Sequence, residues 1–107
     1  MEPSKLIYNV TVKIENDIEQ EWLEWMVQKH IPDVMQTQCF QSYKISKIME
    51  EQDGQGVGYA VQYIAENIGA LQKYHQSFAK NLQEEHANRY RNKYVAFRTV
   101  LEIIGEG

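Results

Sequence analysis

The order of the strand-like and helix-like segments along the chain constrains its fold more than any other feature. Four segments alternate apolar and polar residues as strands do, and two carry apolar residues at the spacing of helices. The strand segments are Leu6–Ile14, Ser42–Met49, Val57–Ala65 and Tyr94–Ile103. The helical segments run from Asn16 to Gln36 and from Asn67 to Asn92. This order predicts an α+β, ferredoxin-like βαββαβ fold, a four-stranded antiparallel sheet with two helices on one face.

The first helical segment carries both tryptophans on one apolar stripe. Trp22 is predicted to lie in the core, whereas Trp25 is either core or the wall of a ligand pocket. Asn16 is placed to cap the start of this helix. Pro32 lacks an N–H, so the helix is predicted to end before it, with a short further turn. His30 would then cap a helix C-terminus with a protonated ring, or contact a ligand.

The second helical segment holds the other two histidines. His75 falls on the apolar stripe and is predicted to be a hydrogen-bonded core residue or a ligand contact, whereas His86 is predicted to lie on the surface or at an interface. At about 1.5 Å per residue the two stand about 16 Å apart, too far to share a metal ion. Cys39 is the one cysteine, which excludes an internal disulfide and a cysteine-based zinc site. The sequence predicts no metal site and no cofactor.

Length and charge narrow the class of protein. A chain of 107 residues predicts one ferredoxin-like domain over residues 1–107. The formal charge of -4 argues against nucleic acid or an anionic membrane as partner. The stretch Gly58–Tyr63 matches the RNA-recognition signature only in part. Val57 stands where the signature has a basic residue, and Val61 stands where it has an aromatic residue that stacks on a nucleotide. No apolar run approaches the roughly 20 residues of a membrane span, and no signal peptide is evident, so a cytoplasmic protein is expected.

Sorting the strand residues by parity predicts two sheet faces. The residues expected to face the helices are Tyr8, Val10, Val12, Tyr59, Val61, Tyr63, Val95, Phe97 and Leu101. The residues expected on the opposite face are Asn9, Thr11, Gly58, Ala60, Gln62, Ile64, Ala96, Arg98 and Val100. Since both helices leave the second face bare, the pattern predicts a homodimer in which two such faces pack together.

Arg98 is the first candidate for contact with a ligand. A guanidinium enclosed at the centre of a sheet face needs an anion or several acceptors, because a buried lone charge is costly. It is predicted either to reach a rim carboxylate such as Glu102 or the partner subunit, or to hold a ligand carboxylate. In the second case Tyr94 and Gln62 would orient the ligand. The remaining candidate ligand-binding residues are Asn9, His30, Trp25 and His75, and no catalytic residue is predicted.

Several short segments in combination resemble a known family. They are Ile7–Val12, Trp22-x-x-Trp25-Met26, His30-Ile31-Pro32-x-Val34, Val61–Tyr63, Glu85–Ala87 and Val95–Thr99. Together they resemble the bacterial domain-of-unknown-function family number 4286, which implies a dimeric α+β barrel and no assigned activity. Wider relatives of that barrel include cofactor-free monooxygenases and haem-degrading enzymes. Asn9 and His75 look like two residues that the haem-degrading enzymes use, whereas their tryptophan is missing before the second helix.

Three functions remain open at this point. The first is a homodimeric α+β barrel that binds a small molecule as sensor or carrier. The second is a cofactor-free or haem-linked monooxygenase-like enzyme, and the third is a structural or protein-interaction dimer. The sequence does not separate an enzyme from a binding protein, but a pocket with convergent polar groups would favour the first two functions over the third.

Overall fold

The computed structural model describes residues 4–49, 54 and 56–107. Its strands are β1 (Leu6–Ile14), β2 (Ser42–Lys47), β3 (Val57–Ala65) and β4 (Tyr94–Glu102). Its helices are a 3-10 turn (Asn16–Ile18), α1 (Glu19–Trp25), a π-helix (Met26–His30), α2 (Ile31–Met35), α3 (Ile68–Ser77) and α4 (Ala79–Arg89). The strands form one antiparallel sheet in the order β2-β3-β1-β4, which confirms the ferredoxin-like fold.

The hairpin turn predicted between β2 and β3 lies largely outside the described residues. Of the predicted Asp53-Gly54 pair, only Gly54 is described, and its φ of 80° is in the left-handed region. Glycine occupies that region without the steric penalty of a Cβ. The turn prediction at Asp53 itself is not addressed by the described part of the chain.

The core lies between one face of the sheet and the helices. The buried residues of β1 and β3 on that face are Leu6, Tyr8, Val12, Ile14, Val57, Tyr59, Val61, Tyr63 and Ala65. From the helices, Trp22 and Ile31 are fully buried against them. The prediction that Trp22 lies in the core is therefore confirmed.

The first helix does not end before Pro32, so that prediction is wrong. The Ile31 N–H donates to the carbonyl of Met26, five residues back, and the chain passes through a wide π turn. Pro32 then falls in the first turn of α2, where a missing N–H is tolerated. His30 keeps helical backbone angles inside this continuous path and caps no helix end. Asn16 is the first residue of the 3-10 turn and not its N-cap, and its Nδ2–H donates to the Gly54 carbonyl at 3.4 Å.

The second helix is interrupted at Phe78, where φ is -131° and ψ is -34°. Its start is as predicted, because Asn67 accepts a hydrogen bond from the Ala70 N–H at 3.0 Å. The interruption shifts the phase of the buried stripe between α3 and α4. The residues that these two helices bury are Leu71, Tyr74, Ala79 and His86. His75 is exposed, so the predictions of a core His75 and a surface His86 are both wrong.

The register of β4 against β1 reverses its predicted orientation. Val10 pairs with Arg98, and Tyr94 pairs with the fully buried Ile14. Paired residues in an antiparallel sheet project to the same face. Arg98 and Tyr94 therefore lie on the face that the helices cover, and the prediction that Arg98 lies on the opposite face is wrong.

The face that the helices leave uncovered, here called the open face, carries the alternate residues. Asn9 pairs there with Gln62, as predicted. The apolar side chains on the open face are Ile7, Ile64, Val95, Phe97 and Leu101. The last three were predicted to face the helices, but Phe97 is 67% exposed and Val95 is 53% exposed.

Candidate functional site

A cavity of about 40 Å³ lies between the sheet and the helices. Its apolar wall is formed by Val10, Val12, Met26, Val34 and Val61. Its polar groups converge from three elements and are His30, Gln83, His86, Tyr94 and Arg98. An apolar cavity with a few convergent polar side chains is the usual form of a small-molecule site. The space holds a few water molecules or a small organic group.

His86 enters this site from α4 and is fixed by a buried hydrogen bond. The Trp22 Nε1–H donates to His86 Nε2 at 2.9 Å. Because the indole can only donate, His86 Nε2 is the acceptor, and the proton of the neutral ring is on Nδ1. Burial is the main cause that lowers the pKa of His86 to about 4, and the electrostatic influence of His30 and Arg98 acts in the same direction. His86 is therefore neutral at pH 7.

His30 enters the site from the π-helix and lies beside His86. Its ring stacks on Trp25 with centroids 5.2 Å apart, and its centroid lies 5.7 Å from that of His86. Nδ1 of His30 is buried and has no hydrogen-bond partner. A buried nitrogen without a partner costs about 1–3 kcal/mol. Burial lowers the pKa of His30 to about 4, although Asp33 acts in the opposite direction.

Arg98 is the cation of the cavity. Within the ranges that the structure describes, no carboxylate pairs with it and no side-chain hydrogen bond is formed, so the predicted contact with Glu102 is not made. The Arg98 residue is also exposed, so water can solvate its charge in one protomer. The sequence argument concerned a guanidinium enclosed between two packed sheet faces, whereas Arg98 lies on the face that the helices cover and is exposed in one protomer. An exposed, unpaired guanidinium beside an apolar cavity is free to take an anion.

Four tyrosines, Tyr8, Tyr63, Tyr74 and Tyr94, add hydroxyl groups to the lining. Tyr94 approaches His86 edge-on, with ring centroids 4.5 Å apart. Burial raises the pKa of both Tyr63 and Tyr74 far above the ordinary value, so that their hydroxyls stay protonated. The cavity therefore contains one fixed positive charge, and no acidic side chain is among the described residues that line it.

The structure brings together three of the seven predicted ligand-binding residues. Arg98, Tyr94 and His30 line the cavity. Trp25 does not line it but supports His30 by stacking. Asn9 and Gln62 lie on the open face, and the exposed His75 turns its Nδ1 towards the Leu71 carbonyl at 3.0 Å.

Sequence reasoning missed His86 and Gln83. Their signal is weak, because the apolar spacing after Phe78 is that of a new helix and not a continuation of the old one. Counting from Ala79 instead places Leu82, His86 and Tyr90 on one stripe. In the described residues no group of three or more potential metal ligands is found, and no helix is long and apolar enough to cross a membrane.

The family model described as "Domain of unknown function (DUF4286)" matches residues 5–104. The chain belongs to this family. The resemblance stated from the short segments is thereby confirmed. Among curated proteins, none matches the chain.

Solved structures share the fold at low sequence identity. A dimeric ferredoxin-like protein from an uncultured marine organism is similar with a TM-score of 0.71 and 10% identity, over 95% of this chain and 97% of that one. SnoaB, a cofactor-independent oxygenase from Streptomyces nogalater, is similar with a TM-score of 0.68 and 8% identity, over 96% of each chain. A putative antibiotic biosynthesis monooxygenase from Bacillus cereus is similar with a TM-score of 0.61 and 13% identity, over 97% of each chain. Likeness at this identity shows the fold alone.

Proposed function

We propose that this protein is a homodimeric α+β barrel that binds a small organic acid, as sensor or carrier, between the sheet and the helices of each protomer. The observation that carries the proposal is the unpaired Arg98 guanidinium on the wall of an apolar cavity. A guanidinium takes a carboxylate through two parallel N–H···O bonds. The aliphatic wall then suits the apolar part of the same ligand.

The size of the cavity limits the ligand. About 40 Å³ is well below the 300 to 1,000 Å³ typical of pockets for drug-sized molecules. A carboxylate with a short alkyl part is therefore the class that we propose. Neutral donors are at hand to orient it, namely the Tyr94 hydroxyl and the His86 Nδ1–H.

The dimer would form through the open face. That face exposes Phe97 and Val95, and a four-stranded sheet with a bare apolar face is stabilised by packing on a second sheet. Two similar solved proteins are described as dimeric ferredoxin-like proteins, which agrees with this arrangement. The occupant that we propose for the open face is therefore a second copy of this chain.

The cytoplasm is the compartment that we propose. Cys39 is a free, buried thiol. A reducing compartment keeps such a thiol reduced.

Thermal denaturation with and without propionate or acetate tests the proposed ligand class. A ligand that binds only the folded protein adds about 2.7 kcal/mol of stability at one hundred times its Kd, so Tm should rise with ligand concentration. Arg98→Lys keeps the positive charge but removes the two parallel N–H donors of the guanidinium, so at least a tenfold loss of affinity is expected. Arg91→Lys, an exposed arginine bonded to Asn88 outside the cavity, is the matched control. If Arg98→Lys stays dimeric and keeps the affinity within about twofold, the carboxylate clamp is wrong.

A monooxygenase-like enzyme is the second candidate. The observation in its favour is His30, a neutral imidazole on the cavity wall whose Nδ1 has no partner and could accept a proton from a bound substrate. Oxygen uptake in the presence of a bound ligand would support this candidate. Ligand binding without any change in the ligand or in dissolved oxygen would leave the sensor or carrier role.

A further inference from the structure

We propose that His30 takes up a proton when a small carboxylate binds beside Arg98, while His86 stays neutral. This inference rests on the proposed function and specifies how the site compensates the negative charge of its ligand. The bound anion would then lie between a guanidinium and an imidazolium. The affinity of the protein for small acids would accordingly increase as the pH falls.

The two histidines differ in what protonation would cost them. Nε2 of His86 accepts the hydrogen bond from the Trp22 N–H. A proton on this nitrogen would make it a second donor facing the indole N–H, and the buried hydrogen bond would be lost. Nδ1 of His30 is buried without a partner, so a proton there breaks no hydrogen bond. The geometry therefore assigns proton uptake to His30 and leaves His86 as a fixed Nδ1–H donor.

The charges around His30 are mostly positive. From its own helical segments, Lys29 and Asp33 lie nearby and are paired with each other. From α4 the neighbour is His86, and from β4 it is Arg98. No acidic side chain lines the cavity in the described part of the chain. In the absence of ligand, nothing inside the cavity compensates a charge on the His30 ring.

A bound carboxylate supplies the missing negative charge. A unit charge about 5 Å away, at an effective dielectric constant of about 20, is enough to raise the pKa of an imidazole by about two pH units. The pKa of His30 would move from about 4 in the free protein towards about 6 in the complex. Binding at about pH 5.5 then takes up most of one proton, whereas binding at about pH 7.5 takes up almost none.

Isothermal titration calorimetry of the intact protein with formate and with nitrate tests this inference. Nitrate is a planar oxyanion that does not itself titrate in this range. Comparing two buffers of different ionisation enthalpy gives the number of protons taken up. We expect uptake of about 0.7 proton per site at about pH 5.5 and an affinity about fourfold higher than at about pH 7.5.

Two variants identify the group that takes the proton. His30→Phe keeps a ring that can stack on Trp25, and it should abolish the proton uptake and flatten the pH dependence. His75→Phe changes the exposed histidine outside the cavity and should leave both unchanged. Circular dichroism at both pH values verifies that each variant is folded.

The outcomes separate this inference from the proposed function. Binding of either anion with no proton uptake, or uptake that survives in His30→Phe, overturns the inference and leaves the carboxylate site standing. If neither anion binds at either pH, the proposed function fails and the inference fails with it.

Discussion

The indole of Trp22 and the imidazole of His86 are joined by a buried hydrogen bond of 2.9 Å between positions 64 residues apart in the chain. It connects α1 to α4 under the cavity. The same bond sets the tautomer of His86, and so it links the packing of the helices to the chemistry of the site. Trp22 also packs on Tyr59 of β3, with ring centroids 5.1 Å apart.

Trp22→Ala is expected to lower the free energy of unfolding by about 3–5 kcal/mol, because it removes a fully buried ring and leaves a cavity. Trp22→Phe should cost less, about 2–3 kcal/mol, much of it from leaving His86 Nε2 without its donor. Urea unfolding measures both changes. Val27→Ala, at a residue 44% exposed, is the control and should change stability by less than about 0.5 kcal/mol. A loss below about 1 kcal/mol for Trp22→Ala would contradict the buried position.

The stability of the protein should fall as the pH drops below about 6.5. In the unfolded chain both imidazoles bind protons near pH 6.5, whereas burial lowers the pKa of His30 and of His86 to about 4 in the folded protein. The unfolded state therefore binds more protons between about pH 6.5 and pH 4, and the free energy of unfolding decreases through that window. Each ring contributes a loss of about 2 kcal/mol by pH 5.

Urea unfolding at about pH 7.5 and pH 5 measures this loss. His30→Phe should remove about half of it, and it should leave the protein at least as stable at pH 7.5 because a buried nitrogen without a partner is removed. His75→Phe should leave the loss as it is. Equal losses in the parent protein and in His30→Phe would show that His30 does not titrate in this way.

The fold was predictable from the sequence because the spacing of apolar residues and the order of strands and helices are properties of whole segments, which single residues do not alter. The orientation of β4 was not, because alternation separates a strand into two sets of residues without saying which set faces the helices. The set Val95, Phe97 and Leu101 looked more apolar than the set with Arg98. The side is decided by how β4 pairs with β1, a strand that is distant in sequence. This pairing places Arg98 beside Val10 on the covered face.

The candidate site was predictable only in part for a similar reason. Of the stripe predicted through His75, Leu71 is buried, but His75 is exposed and Tyr74 is buried in its place. The non-helical residue at Phe78 then rotates α4 relative to α3, so that His86 lies at the covered face. Likewise, a π turn that closes on the Met26 carbonyl carries the helix past Pro32 and brings His30 to the cavity. Both irregularities are local adjustments that tertiary packing selects.

Phe97→Asp is expected to convert the proposed dimer into a monomer. Phe97 is 67% exposed on the open face, and a carboxylate there would be buried without a partner if two open faces packed together. Light scattering should give about twice the chain mass of 12.6 kDa for the parent protein and the chain mass for the variant. Ile68→Asp, at an exposed position at the start of α3, should leave the dimer intact, and a monomeric parent protein would remove the closed barrel.

Gln62→Ala should leave the affinity for acetate within about twofold of the parent protein. The sequence alone predicted that Gln62 orients a ligand held by Arg98, but the strand register puts Gln62 opposite Asn9 on the open face and Arg98 on the covered face. The sheet itself separates the two side chains, since residues that alternate along a strand project to opposite sides. Arg98→Gln, which removes the charge, should lower the affinity at least tenfold in the same titration. If Gln62→Ala weakened binding at least tenfold while Arg98→Gln left it unchanged, the ligand would have to lie on the open face, between two protomers and not between the sheet and the helices.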